Sequence, residues 1–307
     1  MYVTAFIKNA AAVLLPLTLL ATCMAGAEKK KPSHSAVPQD ETLIRYGQNL
    51  ILHTATYLGP KGRVAQISNG MACSNCHFKG GTQLFGNAFV TVAATYPKYR
   101  ERSGRMESVA YRINECMERS LNGKPLDSTS LEMKAMIAFI NKTGYGVLKK
   151  LTPGASGTAL LPYLARAADP QKGRMVYKRR CQSCHGADGA GTFAPDSVSY
   201  TVPPLWGNHS YNVSAGLYRL SKLAGLIKNN MPLGVTWQNP QLTDEEAWDV
   251  AAFINTQPRP VRFFSYDWPV LSSKPVDYPF GPYSDSFSEV QHKYGPFGVL
   301  KKALVRR

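Results

Sequence analysis

Four stretches of the chain carry apolar residues at helical spacing, and they fall into two matched pairs. Glu41 to Leu58 and Pro170 to Arg180 read as amphipathic helices, each with one glycine (Gly47, Gly173) where a close helix crossing would leave no room for a side chain. Thr129 to Lys142 and Thr243 to Asn255 read as more apolar helices. Thr129-x-x-Glu132 and Thr243-x-x-Glu246 look like capping boxes at their starts. Both end on the same four residues, Ala138-Phe139-Ile140-Asn141 and Ala252-Phe253-Ile254-Asn255, before the stop signals Gly144 and Pro258. The spacing also predicts a helix over Glu107 to Leu121, ended by Asn122-Gly123. The pairing makes the two halves distant repeats.

Other stretches lack this period. Lys149 to Asp169 reads as a linker, with Pro153, Gly154, Ser156 and Gly157. Residues 258–307 are rich in proline, tyrosine and phenylalanine. They predict a long irregular tail whose aromatic side chains pack across the body. At the other end, Lys8, the apolar run Ala10 to Met24 and Ala25-Gly26-Ala27 have the order of a secretory signal peptide. The run is too short for a convincing membrane span, so no transmembrane segment is expected in the mature chain. A lipid anchor at Cys23 competes, and Thr22 before that cysteine counts against it. The expected organisation is therefore signal 1–27, flexible lead-in 28–40, first domain 41–148, linker 149–168, second domain 169–257 and tail 258–307, in the periplasm.

Charge narrows the partners. The 307 residues carry a formal +16, and removing residues 1–27 takes away only Lys8, leaving 16 − 1 = +15. In an exported protein without a nucleic-acid motif, that excess fits an anionic small substrate or an acidic redox partner, or solubility alone.

The cysteines decide the class. Cys73-Ser74-Asn75-Cys76-His77 and Cys181-Gln182-Ser183-Cys184-His185 each offer two thiols to the vinyl groups of a haem and a histidine to its iron. Helix, attachment motif, loops and closing helix then repeat twice. The fold class is mainly α: two cytochrome c-type helical domains, each around one covalently bound haem, hence two c-type haems. Opposite His185, Met231 in Met231-Pro232 is the candidate ligand, with His209 as rival. Opposite His77 the candidates are His53, Met106, Cys116 and Met117. Cys116 has no cysteine left to pair with. A 3.6-residue period sets Arg112, Cys116 and Ser120 on one helix face: a cation, a thiol and a hydroxyl. Arg112 favours the thiolate, a strong ligand for iron, whereas the plain alternative is a structural cysteine beside a solvated arginine.

Tyr99-Arg100-Glu101-Arg102-Ser103-Gly104 and Arg112-Ile113-Asn114-Glu115-Cys116-Met117-Glu118-Arg119-Ser120-Leu121-Asn122-Gly123-Lys124-Pro125-Leu126 resemble the di-haem thiosulfate dehydrogenases. The likeness continues through Pro204-Leu205-Trp206-Gly207, Ile227 to Gly234 and Asp277-Tyr278-Pro279-Phe280-Gly281-Pro282-Tyr283. The resemblance implies an oxidoreductase that joins two thiosulfates into tetrathionate, in some members reversibly, and passes electrons to a small soluble or membrane-associated redox partner. It implies His77 and Cys116 as axial ligands of a catalytic haem, and Arg102, Arg112 and Ser120 as anion-binding residues. His185 and Met231 would ligate an exit haem. Some members carry a lysine just before that methionine; Asn230 stands there here. Other readings are a pure electron carrier, a sulfur-oxidising cytochrome that loads thiosulfate onto a carrier protein, and a di-haem peroxidase. Firm Cys116 ligation argues against the peroxidase.

Overall fold

A computed structural model describes residues 40–144, 154 and 156–305. The expected signal peptide, Cys23, most of the lead-in and residues 149–153 of the linker lie outside the described residues.

Two crossed helix pairs frame the molecule. Asp40 caps the Glu41–Leu52 helix, accepting from Thr42 N at 2.9 Å and Leu43 N at 3.2 Å, and the helix buries Ile44, Gly47, Leu50 and Ile51. It crosses the Leu131–Thr143 helix so closely that a Cβ on Gly47 would lie 1.9 Å from Ala135 O. In the second half Asp169 caps Pro170–Arg180, which crosses Asp244–Thr256. There a Cβ on Gly173 would lie 1.9 Å from Asp249 O. Both crossings exclude any side chain larger than hydrogen at the contact. Leu50, Leu58, Met117, Met133 and Met136 fill the first core. Tyr177, Leu220, Ala224, Trp248 and Ile254 fill the second.

Several sequence expectations change in detail. The stretch Glu41 to Leu58 breaks at His53 into Glu41–Leu52 and Thr54–Leu58. The break serves the first attachment motif: Thr54 Oγ1 accepts from Cys73 N at 2.9 Å, and Ser74 Oγ donates to Leu52 O at 3.0 Å. Thr243 and Glu246 form the expected capping box, but the other closing helix is capped one residue later than expected, by Ser130. Asp127 captures the Thr129 hydroxyl at 2.9 Å and so removes it from that role. The tail is irregular, apart from one turn of 3₁₀ helix at Leu271–Ser273, until two short helices form, Glu289–Tyr294 and Phe297–Val305. They bury Phe297 and Leu300.

Three two-stranded antiparallel sheets complete the fold: Gly86–Phe89 with Ser156–Thr158, Lys98–Arg100 with Arg105–Glu107, and Thr192–Phe193 with Tyr200–Val202. The halves are sewn together by polar side chains. Asn69 Nδ2 donates to His209 O at 2.9 Å and to Ser210 O at 3.1 Å, while Asn212 Nδ2 donates to Glu118 O at 2.9 Å. The tail joins in, with Arg119 forked onto Asp267 through two bonds of 2.7 Å.

Candidate functional site: two cavities joined at Cys76

Each attachment motif opens onto its own cavity. The first, about 370 Å³, is lined by Cys73, Cys76, His77, Met117 and the predicted stripe Arg112, Cys116 and Ser120. The second, about 300 Å³, is lined by Cys181, Cys184, His185 and Met231. Cys76 and Leu217 line both, so the two spaces adjoin. The remaining candidate ligands stay away from these walls. Met106 is 60% exposed, and His53 and His209 lie on the surface.

Local structure aims both histidines. The Gly86–Phe89 strand has a register break that leaves Asn87 out of the ladder, and the freed Asn87 carbonyl accepts from His77 Nδ1. Pro203 O accepts from His185 Nδ1 at 3.0 Å. A carbonyl only accepts, so both rings carry their proton on Nδ1 and keep Nε2 free as a ligand atom. Burial, reinforced by the charge of Arg112, pushes the His77 pKa down to about 4 and keeps that ring neutral. Burial raises the Cys73 thiol to about 11 and the Cys76 thiol to about 12, so both are held as neutral thiols. Among the described residues no group of three or more His, Cys, Asp and Glu side chains is placed to hold a metal ion.

The walls differ in charge. Lys98, Arg100, Arg102, Arg112, Arg219 and Lys222 line the first cavity, and no carboxylate does so among the described residues. Among the described residues Arg180 is the one Lys, Arg, Asp or Glu side chain lining the second. The Val109–Arg119 helix, capped by Ser108, carries the stripe. Ser120 keeps helical dihedrals as its C-cap, so residues 112, 116 and 120 do share a face. The Cys116 sulfur, more than any other neighbour, raises the pKa of the Arg112 guanidinium and outweighs burial. Arg112 also pairs with Glu115 at 3.3 Å, and Glu115 reaches Arg119 at 3.5 Å. Arg102 comes from the turn between Lys98–Arg100 and Arg105–Glu107. The tail pins that turn, with Trp268 N donating to Arg102 O at 2.6 Å. Burial, then the nearby Arg119, lowers the Arg102 pKa, and its guanidinium makes only a long bond, 3.4 Å, to Ser214 O. Arg102 and Arg112 are thus cations with donors to spare.

Arg219 and Lys222 escaped the sequence reading. They come from the second half, at the cap and first turn of the Leu220–Asn230 helix. Two cations at the start of this helix, against its dipole, are the signal that could have exposed them. The Asp277 of the tail motif anchors Arg219, accepting from its Nε at 3.0 Å and from Ser221 N at 3.1 Å.

Residues 63–148 match the SoxA/TsdA cytochrome c domain and residues 170–258 match cytochrome c. Over 199 residues the chain is 41% identical to the thiosulfate dehydrogenase of Allochromatium vinosum, covering 64% of this chain and 72% of that protein. The chain belongs to the thiosulfate dehydrogenase family. The thiosulfate dehydrogenase of Psychrobacter arcticus is 33% identical over 245 residues, covering 78% of this chain and 71% of its own. The solved thiosulfate dehydrogenase (TsdBA) from Marichromatium purpuratum superposes with a TM-score of 0.65 at 32% identity, over 75% of this chain; the chain spans 49% of that protein's length.

The thiosulfate dehydrogenase family and its two cytochrome c domains imply c-type haems, and the cavity walls suit them. Two cysteines and a neutral histidine face each space. Arg259 supplies an independent sign. It is 8% exposed, donates through Nη2 to Ile254 O at 2.8 Å, and keeps Nε and Nη1 without partners among the described residues. Its guanidinium lies 4.3 Å from the ring of Tyr211. Tyr211 and Ile254 line the second cavity. Buried donors of this strength require an acceptor, and a haem propionate reaching this wall of the second cavity would provide one.

Proposed function

We propose that this protein is a periplasmic di-haem thiosulfate dehydrogenase that joins two thiosulfates into tetrathionate and runs the same reaction in reverse. One observation carries the reading: among the described residues, six cations and no carboxylate line the cavity that Cys116 shares with Cys73, Cys76 and His77. A pure electron carrier has no use for a cationic cavity beside a thiol.

Cys73 and Cys76 would attach one haem and Cys181 and Cys184 the other, with His77 and Cys116 helping to hold the first and His185 and Met231 the second. When bound, the two haems supply one-electron acceptors in series. The chain does the rest. Arg102 and Arg112 hold the sulfonate of a thiosulfate dianion by charge-assisted hydrogen bonds, and Ser120 donates another. This aims the outer sulfur at Cys116 Sγ. A bond between these two sulfurs forms with loss of two electrons. The outer sulfur of a second thiosulfate then attacks the sulfur attached to Cys116, creating the central bond of tetrathionate and returning Cys116 as a thiolate. The sum is two thiosulfates to one tetrathionate and two electrons, with no net proton; tetrathionate reduction is the reverse. The outlet is the second domain, where Cys184 is exposed and Leu233, two residues after Met231, is 82% exposed at the cavity edge. A small redox protein would take electrons there.

Oxidised holoprotein mixed with thiosulfate and ferricyanide tests the reading. It should consume two thiosulfates and two ferricyanides per tetrathionate formed. Haems that stay oxidised in excess thiosulfate would leave the electron-carrier reading in place.

A further inference from the structure

The reaction joins two dianions, and the arginine pair holds one of them. The second carries the same charge into the same cavity and must be neutralised as well, because two sulfonates held close together repel. The remaining cations of the wall are not equally available. Arg219 is committed to Asp277, and Arg100 lies 3.9 Å from Glu107. Lys98 is exposed to solvent. Lys222 differs from all of these. Its side chain is half-buried and lines the cavity, and it has no hydrogen bond or ion pair among the described residues.

The placement of Lys222 is unfavourable for an empty chain. Burial, then the charge of Arg219, lowers its pKa; Asp277 offsets part of this, and Arg100 adds to the repulsion. It also sits in the first turn of its helix, where the dipole disfavours a cation. A dianion entering this side of the cavity compensates these penalties with its charge. The residue reaches the chamber from the second half of the chain, whereas Arg102, Arg112, Cys116 and Ser120 all come from the first.

We infer that Lys222 holds the sulfonate of the second thiosulfate, and in the reverse direction the sulfonate of tetrathionate that is not held by Arg102 and Arg112. The inference rests on the reaction proposed above. It makes the substrate site a joint product of both halves: the first supplies the thiol and one sulfonate pocket, the second supplies the other. A haem propionate offers the same anionic chemistry to a lysine, so the test must separate the two sources.

Lys222→Gln and Lys222→Arg holoproteins are compared with the unmodified protein for thiosulfate saturation, tetrathionate saturation and haem midpoint potentials, with visible spectra confirming that both haems are attached. Lys222→Gln should raise the half-saturating concentration of both substrates by about tenfold, the loss of one charge-assisted contact, with both potentials unchanged. Lys222→Arg should restore most of the affinity. Unchanged saturation in Lys222→Gln overturns the inference, and so does a shifted potential with unchanged saturation, which assigns the lysine to a propionate. An unmodified holoprotein that makes no tetrathionate defeats the proposed reaction itself and this inference with it.

Discussion

The side-chain amide of Gln83 donates to Asn230 Oδ1 at 2.7 Å, tying the loop that follows His77 to the residue that precedes Met231. Asn230 is 2% exposed and uses its own amide twice more, donating to Phe85 O at 3.1 Å and to Leu226 O at 2.8 Å. The two candidate iron sites therefore share a polar clamp in addition to the wall they hold in common.

Replacing Asn230 by Ala breaks the clamp and leaves the Gln83 amide and the Phe85 carbonyl without this partner. The expected cost is about 1–3 kcal/mol of stability, with weaker methionine ligation at the second haem. Denaturant unfolding measures the first effect, and the near-infrared band of methionine-ligated ferric haem measures the second. An unaltered band in a destabilised variant would limit the role of Asn230 to joining the halves.

The helix crossings give a second expectation. Gly47→Ala and Gly173→Ala each drive a methyl group into a carbonyl oxygen 1.9 Å away. Each variant should lose at least about 1–3 kcal/mol, because backbone at a packed crossing has nowhere to retreat. Thermal unfolding of the two holoproteins reads this, and an unchanged midpoint would contradict the crossing geometry.

These crossings were legible in the sequence because a lone glycine in an amphipathic helix has few other uses. The Thr243 capping box was legible for a similar reason: its partners lie three residues apart. The Thr129 cap was misread because Asp127, two residues upstream, competes for the same hydroxyl. No local pattern marks the break at His53, which is set by the distant Cys73 amide that Thr54 receives. The stripe Arg112, Cys116 and Ser120 could be read because one helix carries all of it. Arg219 and Lys222 could not be placed, since only the docking of the second half brings them beside Cys116.

Asp277 links stability to pH. Burial alone would raise its pKa, but Arg219 and the Ser221 hydroxyl and amide outweigh burial and hold the carboxyl below its ordinary range. Between the folded and unfolded pKa values the unfolded chain binds more protons, so stability rises with pH through that window. The contribution is complete above the unfolded value of about 3.9 and is lost as pH falls through the lower, folded value. Asp277→Asn should lower stability at neutral pH and flatten its decline below about pH 4. Denaturant midpoints collected across an acid series in both proteins check this. Parallel declines would show that other carboxylates govern acid unfolding.

The most direct test concerns Cys116. Cys116→Ala holoprotein, with both haems attached, is mixed anaerobically with thiosulfate in a stopped-flow spectrometer and compared with the unmodified protein. The account predicts thiosulfate-driven haem reduction and tetrathionate formation in the unmodified protein and a loss of both by at least about a hundredfold in the variant, the scale expected when a nucleophile is removed. Haem reduction and tetrathionate formation at the normal rate in Cys116→Ala would contradict it.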